Sequence, residues 1–374
     1  MEQENKNIAV CMAAIEKVIE SNIPTYEESE TRGKGYMSYG TDNQYPEYLF
    51  SLYNDVATLK TIIKGTSDFV AGDDSVCNVQ NFQNEINKKG DTMFEMIGWL
   101  AKDYLLYGGF AFQVVRNKAG NIGELYYIDF RYIRANKNKD LFWYSEEYGK
   151  KYARSNKTIV YPKFVAEATD IPSSMVYVTN EKSRTYPIPR YSGALKACEI
   201  ERGIDEFHLS SLENGFYPSS MINFCNGQPS DEQKAEIERD ITEKFAGASN
   251  AGRILLNFSD GKENAAFVQK LDITDFGEKY QAAAKRSREQ IYCAFQAVPA
   301  IFGLPTENKG FSNEEYTTAY ELYSRTVVKP IQRLITYTMD KVFGMDGSIT
   351  IQPFSLGNTT TASNTDNNEE QIVE

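Results

Sequence analysis

The strongest constraint on the fold is the stretch from residue 272 to residue 343, which predicts two long helices joined by a Pro/Gly-rich loop, the first from about Thr274 to Gln296. The second helix is predicted to begin at Ser312, because a serine followed three residues later by Glu315 is the capping-box pattern of a helix N-terminus. From there, apolar positions recur at helical spacing as far as Phe343: Tyr316, Tyr320, Tyr323, Val327, Ile331, Leu334, Thr338 and Val342. Such a helix would be about 45 Å long at about 1.5 Å per residue.

One proline interrupts the second of these predicted helices. Pro330 has no backbone N–H to donate and its ring clashes with the preceding turn, so a kink is expected there. The loop in front of the helix contains four residues that are poor in helix interiors: Pro299, Gly303, Pro305 and Gly310. A long kinked helix after such a loop indicates a scaffold and says nothing about chemistry by itself.

Charge and hydropathy limit the classes of protein to which the chain can belong. The chain has 374 residues, which suggests two or three domains, and its 52 acidic against 40 basic side chains give a net charge of −12. As a whole it lacks the basic excess of proteins that grip nucleic acid through the phosphates. There is no apolar run of about eighteen residues and no signal-peptide pattern, so we expect neither a membrane partner nor secretion. The five scattered cysteines predict reduced thiols in a cytosolic setting.

The first half of the chain predicts an α+β domain. Amphipathic helices are expected near residues 46–54, 56–70 and 91–107. Alternating apolar and aromatic positions then predict an antiparallel sheet built from hairpins. Its strands are expected at 109–116, 124–133, 141–147, 157–164 and 174–179.

The second half predicts a small β-rich insert between two helices. Its parts are a helix at 191–213, a strand at 217–224, a capping box at Ser230 and Gln233 that opens another helix, and strands at 252–258 and 264–271 around the turn Asp260–Gly261. From about Ser355 onward the sequence is polar and of low complexity, which is typical of a disordered tail.

Several phrases of the sequence resemble tailed-bacteriophage portal proteins. In that family a helix ends in a phrase like "aFgVPp.llG", a loop with "sN.E" follows, and a long helix then carries "t..P....i". The matching residues are Phe295, Val298, Pro299, Gly303, Ser312, Asn313, Glu315, Thr326, Pro330 and Ile335. Each phrase alone is common, but their order and spacing together are fairly specific. Further phrases follow the family's order upstream, so the resemblance covers about residues 39–343.

The resemblance implies an α+β fold with a wing domain of antiparallel sheet and helices, stem helices, a small β-rich clip insert and a long kinked C-terminal helix. The expected boundaries are an N-terminal arm at 1–38, the first part of the wing at 39–186, a stem helix at 187–216, the clip at 217–271, a second stem helix at 272–297, a tunnel loop at 298–312, the long kinked helix with the second part of the wing at 313–354, and a disordered tail at 355–374. Little chain follows the long helix, so any crown domain would be small or absent.

The resemblance also implies a function. Portal proteins form a homo-oligomeric ring, a dodecamer, at one vertex of the capsid, where the ring is the channel for genome packaging and ejection. Implied partners are further copies of this chain, terminase, the major capsid or scaffold protein, a head-tail adaptor and double-stranded DNA in the channel. The expected location is the virion, after assembly in the host cytoplasm. A head-tail adaptor is the alternative, and a nucleic-acid-processing enzyme is a more distant one.

Within the implied ring, the loop between the two long helices would be the tunnel loop nearest to the DNA. Its tip contains Thr306, Glu307, Asn308, Lys309 and Gly310. Lys309 is the only positive charge in this tip, and ring symmetry would turn it into a circle of lysines that contact phosphates without reading base sequence. A solvated lysine on an ordinary surface loop is an equally good interpretation of this residue.

No residue pattern predicts a catalytic, cofactor-binding or metal-binding residue. The single histidine, His208, has no second ligand at metal-binding spacing, and a position at the surface or at a helix interface explains it better. The sequence contains neither a G-x-x-x-x-G-K-[ST] loop for a triphosphate nor a G-x-S-x-G motif. The 25 tyrosines and 21 phenylalanines fit core packing better than base stacking. We therefore expect no enzymatic activity.

Overall fold

The computed structural model describes most of the chain. The described residues are 24–31, 33–148, 158–214, 220–224, 254–258, 274–303 and 313–355, together with Ser230 and Gln233. They divide into two compact units. The first unit combines the described chain up to Tyr53 with Lys60–Arg190 and with the chain from Phe295 onward, and the second combines Asn54–Leu59 with Tyr191–Ala294. The domain names implied by the resemblance stay predictions.

Three of the described helices lie in the first part of the chain. Helix α1 covers Tyr45–Asp55, α2 covers Ala57–Ala71 and α3 covers Met93–Tyr107, close to the predicted bounds. A capping box that the sequence analysis missed begins α3. Thr92 Oγ1 accepts a hydrogen bond from the Glu95 N–H at 3.2 Å, and the Thr92 N–H donates to the Glu95 carboxylate at 2.9 Å.

Helix α3 contacts strands and a later helix of the first unit, at Asp74–Cys77, Gly109–Arg116, Ile122–Ile128 and Lys329–Phe343. Ile97 on this helix is fully buried, and so is Asp103. The Asp103 carboxyl accepts hydrogen bonds from Tyr127 Oη at 3.0 Å and from the Phe130 N–H at 3.1 Å. Burial raises the pKa of Asp103 to about 8, although neighbouring Lys102 offsets part of the shift. This polar contact fixes the chain after the third strand against α3.

The strands of the first unit are antiparallel, as predicted, but they form more than the single predicted sheet. They are β1 (Asp74–Cys77), β2 (Gly109–Arg116), β3 (Ile122–Ile128), β4 (Ile133–Ala135), β5 (Leu141–Tyr144), β6 (Ile159–Pro162) and β7 (Ser173–Thr179). One sheet has the order β3-β2-β7 and another the order β4-β5-β6. The prediction of one strand over 124–133 was wrong, because Asp129 caps a 3-10 turn at Phe130–Tyr132. Its carboxylate accepts from the Arg131 N–H at 2.9 Å, and this turn separates β3 from β4.

Two helices form most of the described part of the second unit. Helix α4 covers Leu195–Asn214, and α5 covers Thr274–Phe295. The rings of Phe207 and Tyr280 stack between them, with centroids 5.0 Å apart. Both helices lie close to their predicted positions, so the helical periodicity was a sufficient guide here.

A parallel pair of strands accompanies these helices. Strand β8 (Ser220–Phe224) pairs in parallel with β9 (Ile254–Phe258). A parallel pair requires a crossover connection, which agrees with the predicted order of strand, helix and strand. The predicted hairpin partner of β9 at 264–271, its turn, and most of the helix that starts at Ser230 lie outside the described residues.

The stretch predicted as one kinked helix consists of three consecutive helical segments. Helix α6 covers Asn313–Tyr323, a π-helical turn covers Ser324–Val328, and α7 covers Lys329–Phe343. The predicted apolar face is confirmed for its buried members: Tyr320, Tyr323, Val327, Ile331, Thr338 and Val342. After α7, strand β10 (Ile349–Gln352) pairs antiparallel with β1. None of the described helices is long and apolar enough to cross a membrane.

Candidate functional site

The candidate site is the connection between α5 and α6, where the sequence predicts the tunnel loop. The five tip residues, 306–310, lie outside the described residues, and so does Ser312 of the predicted capping box. The structure describes the connection as far as Gly303 and describes the chain again from Asn313 onward. The site is therefore described by the residues on either side of the tip.

The first end begins where α5 stops. Phe295 is fully buried, and the next residue, Gln296, takes the left-handed conformation with φ 53°. The side-chain carbonyl of Gln296 accepts a hydrogen bond from Arg190 Nη2 at 2.9 Å. A 3-10 turn at Pro299–Phe302 follows, with proline at its start, where a missing N–H costs nothing.

Phe302 holds this turn against α2. The centroid of its ring lies 6.0 Å from that of Phe69 and 5.6 Å from that of Tyr323. Gly65 of α2 faces the same ring, and a Cβ atom added to Gly65 would lie 2.9 Å from Cε1 of Phe302. Real Cβ atoms essentially never show that separation, so a side chain at position 65 would force the Phe302 ring to shift. Gly303, with φ 79°, then ends the turn.

The second end is joined to the same helix by a buried hydrogen bond. The Tyr323 hydroxyl at the end of α6 lies 2.7 Å from Oγ1 of Thr66. Burial raises the pKa of the Tyr323 phenol to about 12, so this hydroxyl stays protonated at neutral pH. One turn earlier, the ring of Tyr320 packs edge-on against Phe69 with centroids 5.2 Å apart. Both ends of the connection thus contact one short stretch of α2, from Gly65 to Phe69.

A π-helical turn follows Tyr323 directly. The N–H of Lys329 donates to the carbonyl of Ser324, five residues earlier, instead of the usual four. Pro330 comes next and is exposed. Proline cannot donate to the carbonyl of Thr326, and widened turns of this kind occur where the regular helical ladder is broken. The kink predicted at Pro330 stays a prediction, and the π turn gives it a second physical cause.

Helix α7 is anchored to α2 on the far side of the π turn. Gln332 Nε2 donates to the carbonyl of Val70 at 2.9 Å. Ile335 and Met339, further along α7, are fully buried. The helical run is therefore fixed on both sides of the π turn, by Tyr323 before it and by Gln332 after it.

The family of the chain follows from a comparison with known families. The family model for phage portal proteins matches residues 78–366, well over half of the chain. The chain belongs to the phage portal protein family. The match spans α3 to β10 and includes the candidate loop, the π turn and Pro330, which carried the resemblance in the sequence.

Solved structures confirm the mixed helical and antiparallel fold of this portal-family chain. A chain in the virion of a native gene transfer agent (GTA) particle has a TM-score of 0.52 at 18% identity, with 82% of this chain and 83% of that chain covered. A chain in the neck of the native GTA particle, computed with C12 symmetry, has a TM-score of 0.51 at 17% identity, with coverages of 84% and 86%. Identities this low show the fold alone.

Two curated relatives match shorter stretches of the portal-family chain. An uncharacterized protein of Rickettsia bellii (strain RML369-C) is 27% identical over 151 residues, which is 40% of this chain and 37% of the relative. An uncharacterized protein of Rickettsia felis (strain ATCC VR-1525 / URRWXCal2) is 30% identical over 131 residues, or 33% and 31%. The matches span about a third of the length of these relatives.

The described part of the portal-family chain offers no group of His, Cys, Asp or Glu side chains placed to hold a metal ion. His208 is exposed on α4, and its ring centroid lies 6.1 Å from that of Tyr280. Cys77, Cys198 and Cys293 are free thiols. The expectation of no catalytic, cofactor or metal residue concerns the whole chain and stays a prediction.

Sequence reasoning missed the residues that position the loop. Gly65 and Thr66 lie more than 200 residues before the segment that they hold, as the separation of 257 between Thr66 and Tyr323 shows. One signal was available, because a glycine inside an amphipathic helix pattern often marks a close approach of another part of the chain. The partner of that glycine, Phe302, could not be read from the sequence.

Proposed function

We propose that the protein is the ring-forming subunit of a portal at one vertex of a phage-type capsid. The observation that carries the proposal is the family match over residues 78–366. The fold agrees with it, since one of the similar chains lies in a GTA neck that was computed with C12 symmetry. A homo-oligomeric ring of about twelve copies in the virion, with a structural and not a catalytic role, is the function that these findings support.

Exposed apolar side chains on α4 support a ring. Ile200 is 46% exposed and Leu209 is 59% exposed. Nine residues of an α-helix amount to about two and a half turns, so these two side chains lie on opposite sides of α4. A closed ring uses heterologous contacts, in which each copy presents two different surfaces to its two neighbours. Apolar side chains on opposite sides of one helix fit that requirement.

The tunnel-loop assignment belongs to this proposal. Residues 306–310 would project into the channel of the ring, where Lys309 of every copy faces the phosphates of double-stranded DNA. The anchored ends of the loop support this role, because Phe302 and Tyr323 fix where the loop leaves and re-enters the fold. An overall net charge of −12 would keep the rest of the channel from holding DNA tightly.

The remaining partners follow from the same proposal. The insert at 217–271 would be the clip that docks terminase during packaging and a head-tail adaptor afterwards, and the wing would contact the major capsid or scaffold protein. Assembly would take place in the host cytoplasm. The adaptor alternative is disfavoured by the helical run from Asn313 to Phe343, which an adaptor is not expected to contain.

Negative-stain micrographs of the purified full-length chain, alone and with scaffold protein, test the proposal. The expected images are rings with a central hole. Compact monomers under all assembly conditions would contradict it.

A further inference from the structure

A row of basic side chains winds along the exposed surface of the last long helix. Arg325 in the π turn and Lys329, Arg333 and Lys341 of α7 are all exposed. Tyr337 occupies the remaining position of the row, is 56% exposed, and has Nζ of Lys341 4.4 Å from the centroid of its ring. These residues are four apart, so they follow one ridge of the helix surface, about 24 Å long at about 1.5 Å per residue. Within α7 the ridge winds by about 40° per step, so Lys329 and Lys341 lie about 120° apart around the helix. We call them the basic ridge.

The basic ridge has no anionic partner in the described part of the chain. Some other exposed cations of this protein pair with carboxylates, for example Lys64 with Asp68 and Lys88 with Glu124 at 2.8 Å. None of the four ridge cations forms an ion pair with a described carboxylate. Asp340, which is adjacent to Lys341 in the chain, is already engaged by the Ser348 N–H at 2.8 Å.

This ridge contrasts with the overall charge of the protein. In a chain of net charge −12, four cations with no described carboxylate partner along one helix ridge form a local site of opposite sign. Its regular spacing on a well-anchored helix suits a partner with regularly spaced negative charges. A duplex presents one phosphate per about 3.4 Å along each strand, so a ridge of this length can meet several phosphates.

We propose that the basic ridge is a sequence-independent docking site for the phosphate backbone of double-stranded DNA. The DNA partner comes from the proposed portal function, and the ridge is separate in sequence from the tunnel loop at 306–310. Arginine, lysine and tyrosine side chains all make phosphate contacts of this kind. The cores of protein interfaces are depleted in lysine, and two of the four ridge cations are lysines. An acidic surface of a second copy of this chain is therefore the less suitable occupant.

The salt dependence of DNA binding tests the proposal. The probe is a fluorescein-labelled duplex of 30 base pairs with random sequence, titrated with the full-length chain between 25 and 200 mM salt and followed by anisotropy. Four phosphate contacts predict a slope of about −3.6 in a plot of log K against log salt. The double variant Lys329→Gln/Arg333→Gln should weaken binding about tenfold or more at low salt and make the slope shallower by about 1.8.

A matched control is the double variant Lys118→Gln/Lys137→Gln, which removes two exposed cations elsewhere and gives the same net charge. This control should keep the wild-type slope. A wild-type chain without measurable binding at 25 mM salt, or equal slopes for the two double variants, would overturn the proposal. Unchanged DNA binding together with weaker self-association of Lys329→Gln/Arg333→Gln would also overturn it and assign the ridge to a second copy. Particle mass is measured on the same samples, so a failure to form rings counts against the portal function and not against the ridge.

Discussion

The hydroxyl of Tyr323 lies 2.7 Å from Oγ1 of Thr66 inside the protein, and this bond joins the end of α6 to the middle of α2. Thr66 is fully buried, and Tyr323 is 1% exposed. No water competes for either hydroxyl at this burial, so the bond should matter for stability. It also lies directly before the π turn and thereby fixes the start of that turn.

Tyr323→Phe removes this hydrogen bond and leaves a buried hydroxyl on Thr66. We expect the free energy of unfolding to fall by about 1 kcal/mol or somewhat more. Urea denaturation measures the change, and Tyr337→Phe, at an exposed position, is the control that should lose almost nothing. The double variant Thr66→Val/Tyr323→Phe should lose less than the sum of its single changes. Additive losses would show that the two hydroxyls do not interact.

Gly65→Ala tests the close approach of Phe302 to α2. In an ordinary helix this change stabilises by about 1 kcal/mol. Here the added methyl group would lie 2.9 Å from the Phe302 ring, so we expect a loss of about 1–3 kcal/mol in the free energy of unfolding. The control is Gly203→Ala in α4, which has open space around it and should stabilise the protein. If both variants were stabilised alike, Phe302 would not be seated as described.

Pro330→Ala tests whether the break in the helix is needed for assembly. Alanine restores an N–H that can donate to the Thr326 carbonyl, so the π turn can relax toward a regular helix. We expect equal or higher thermal stability together with impaired ring closure, measured by melting curves and by ring counts on micrographs. Rings of normal number and diameter in the variant would show that the proline is incidental.

Lys309→Glu tests the proposed tunnel loop, and so does deletion of 306–310. Folding and ring assembly should be unchanged, while a reversed charge in the channel should lower the number of DNA-filled heads. The measurement is the ratio of full to empty particles, with Lys118→Glu as an equal charge change at an exposed position elsewhere. An unchanged ratio would remove this loop from the path of the DNA.

The long helices could be predicted from the sequence because their signals are local. A repeating apolar face and helix-breaking residues at each end placed α5 and the run from α6 to α7 within a few residues of their observed bounds. The π turn could not be predicted, because it depends on which carbonyl the Lys329 N–H selects. Pro330 indicated only that the regular ladder must break nearby.

The sheets were predicted less well because their pairing is not local. Asp129 and the short turn that it caps were read as part of a strand, which merged two sheets into one. Strand β10 pairs with β1 across most of the chain, and no local pattern reports such a partner. The same limit applies to the candidate site, since Gly65 and Thr66 are distant in sequence from the loop that they position.

The measurement that tests the portal function most directly is the mass of the assembled particle in solution. Mass photometry of the full-length chain should show a closed species of about twelve subunits of 42.4 kDa. The variants Ile200→Asp and Leu209→Asp should each shift the population to open, smaller oligomers, because either change places a charge on one of the two surfaces that neighbours share. Val165→Asp, which alters an exposed apolar residue outside α4, should leave the closed species in place. A wild-type chain that stays monomeric would contradict the portal function. So would α4 variants that assemble in the same way as Val165→Asp.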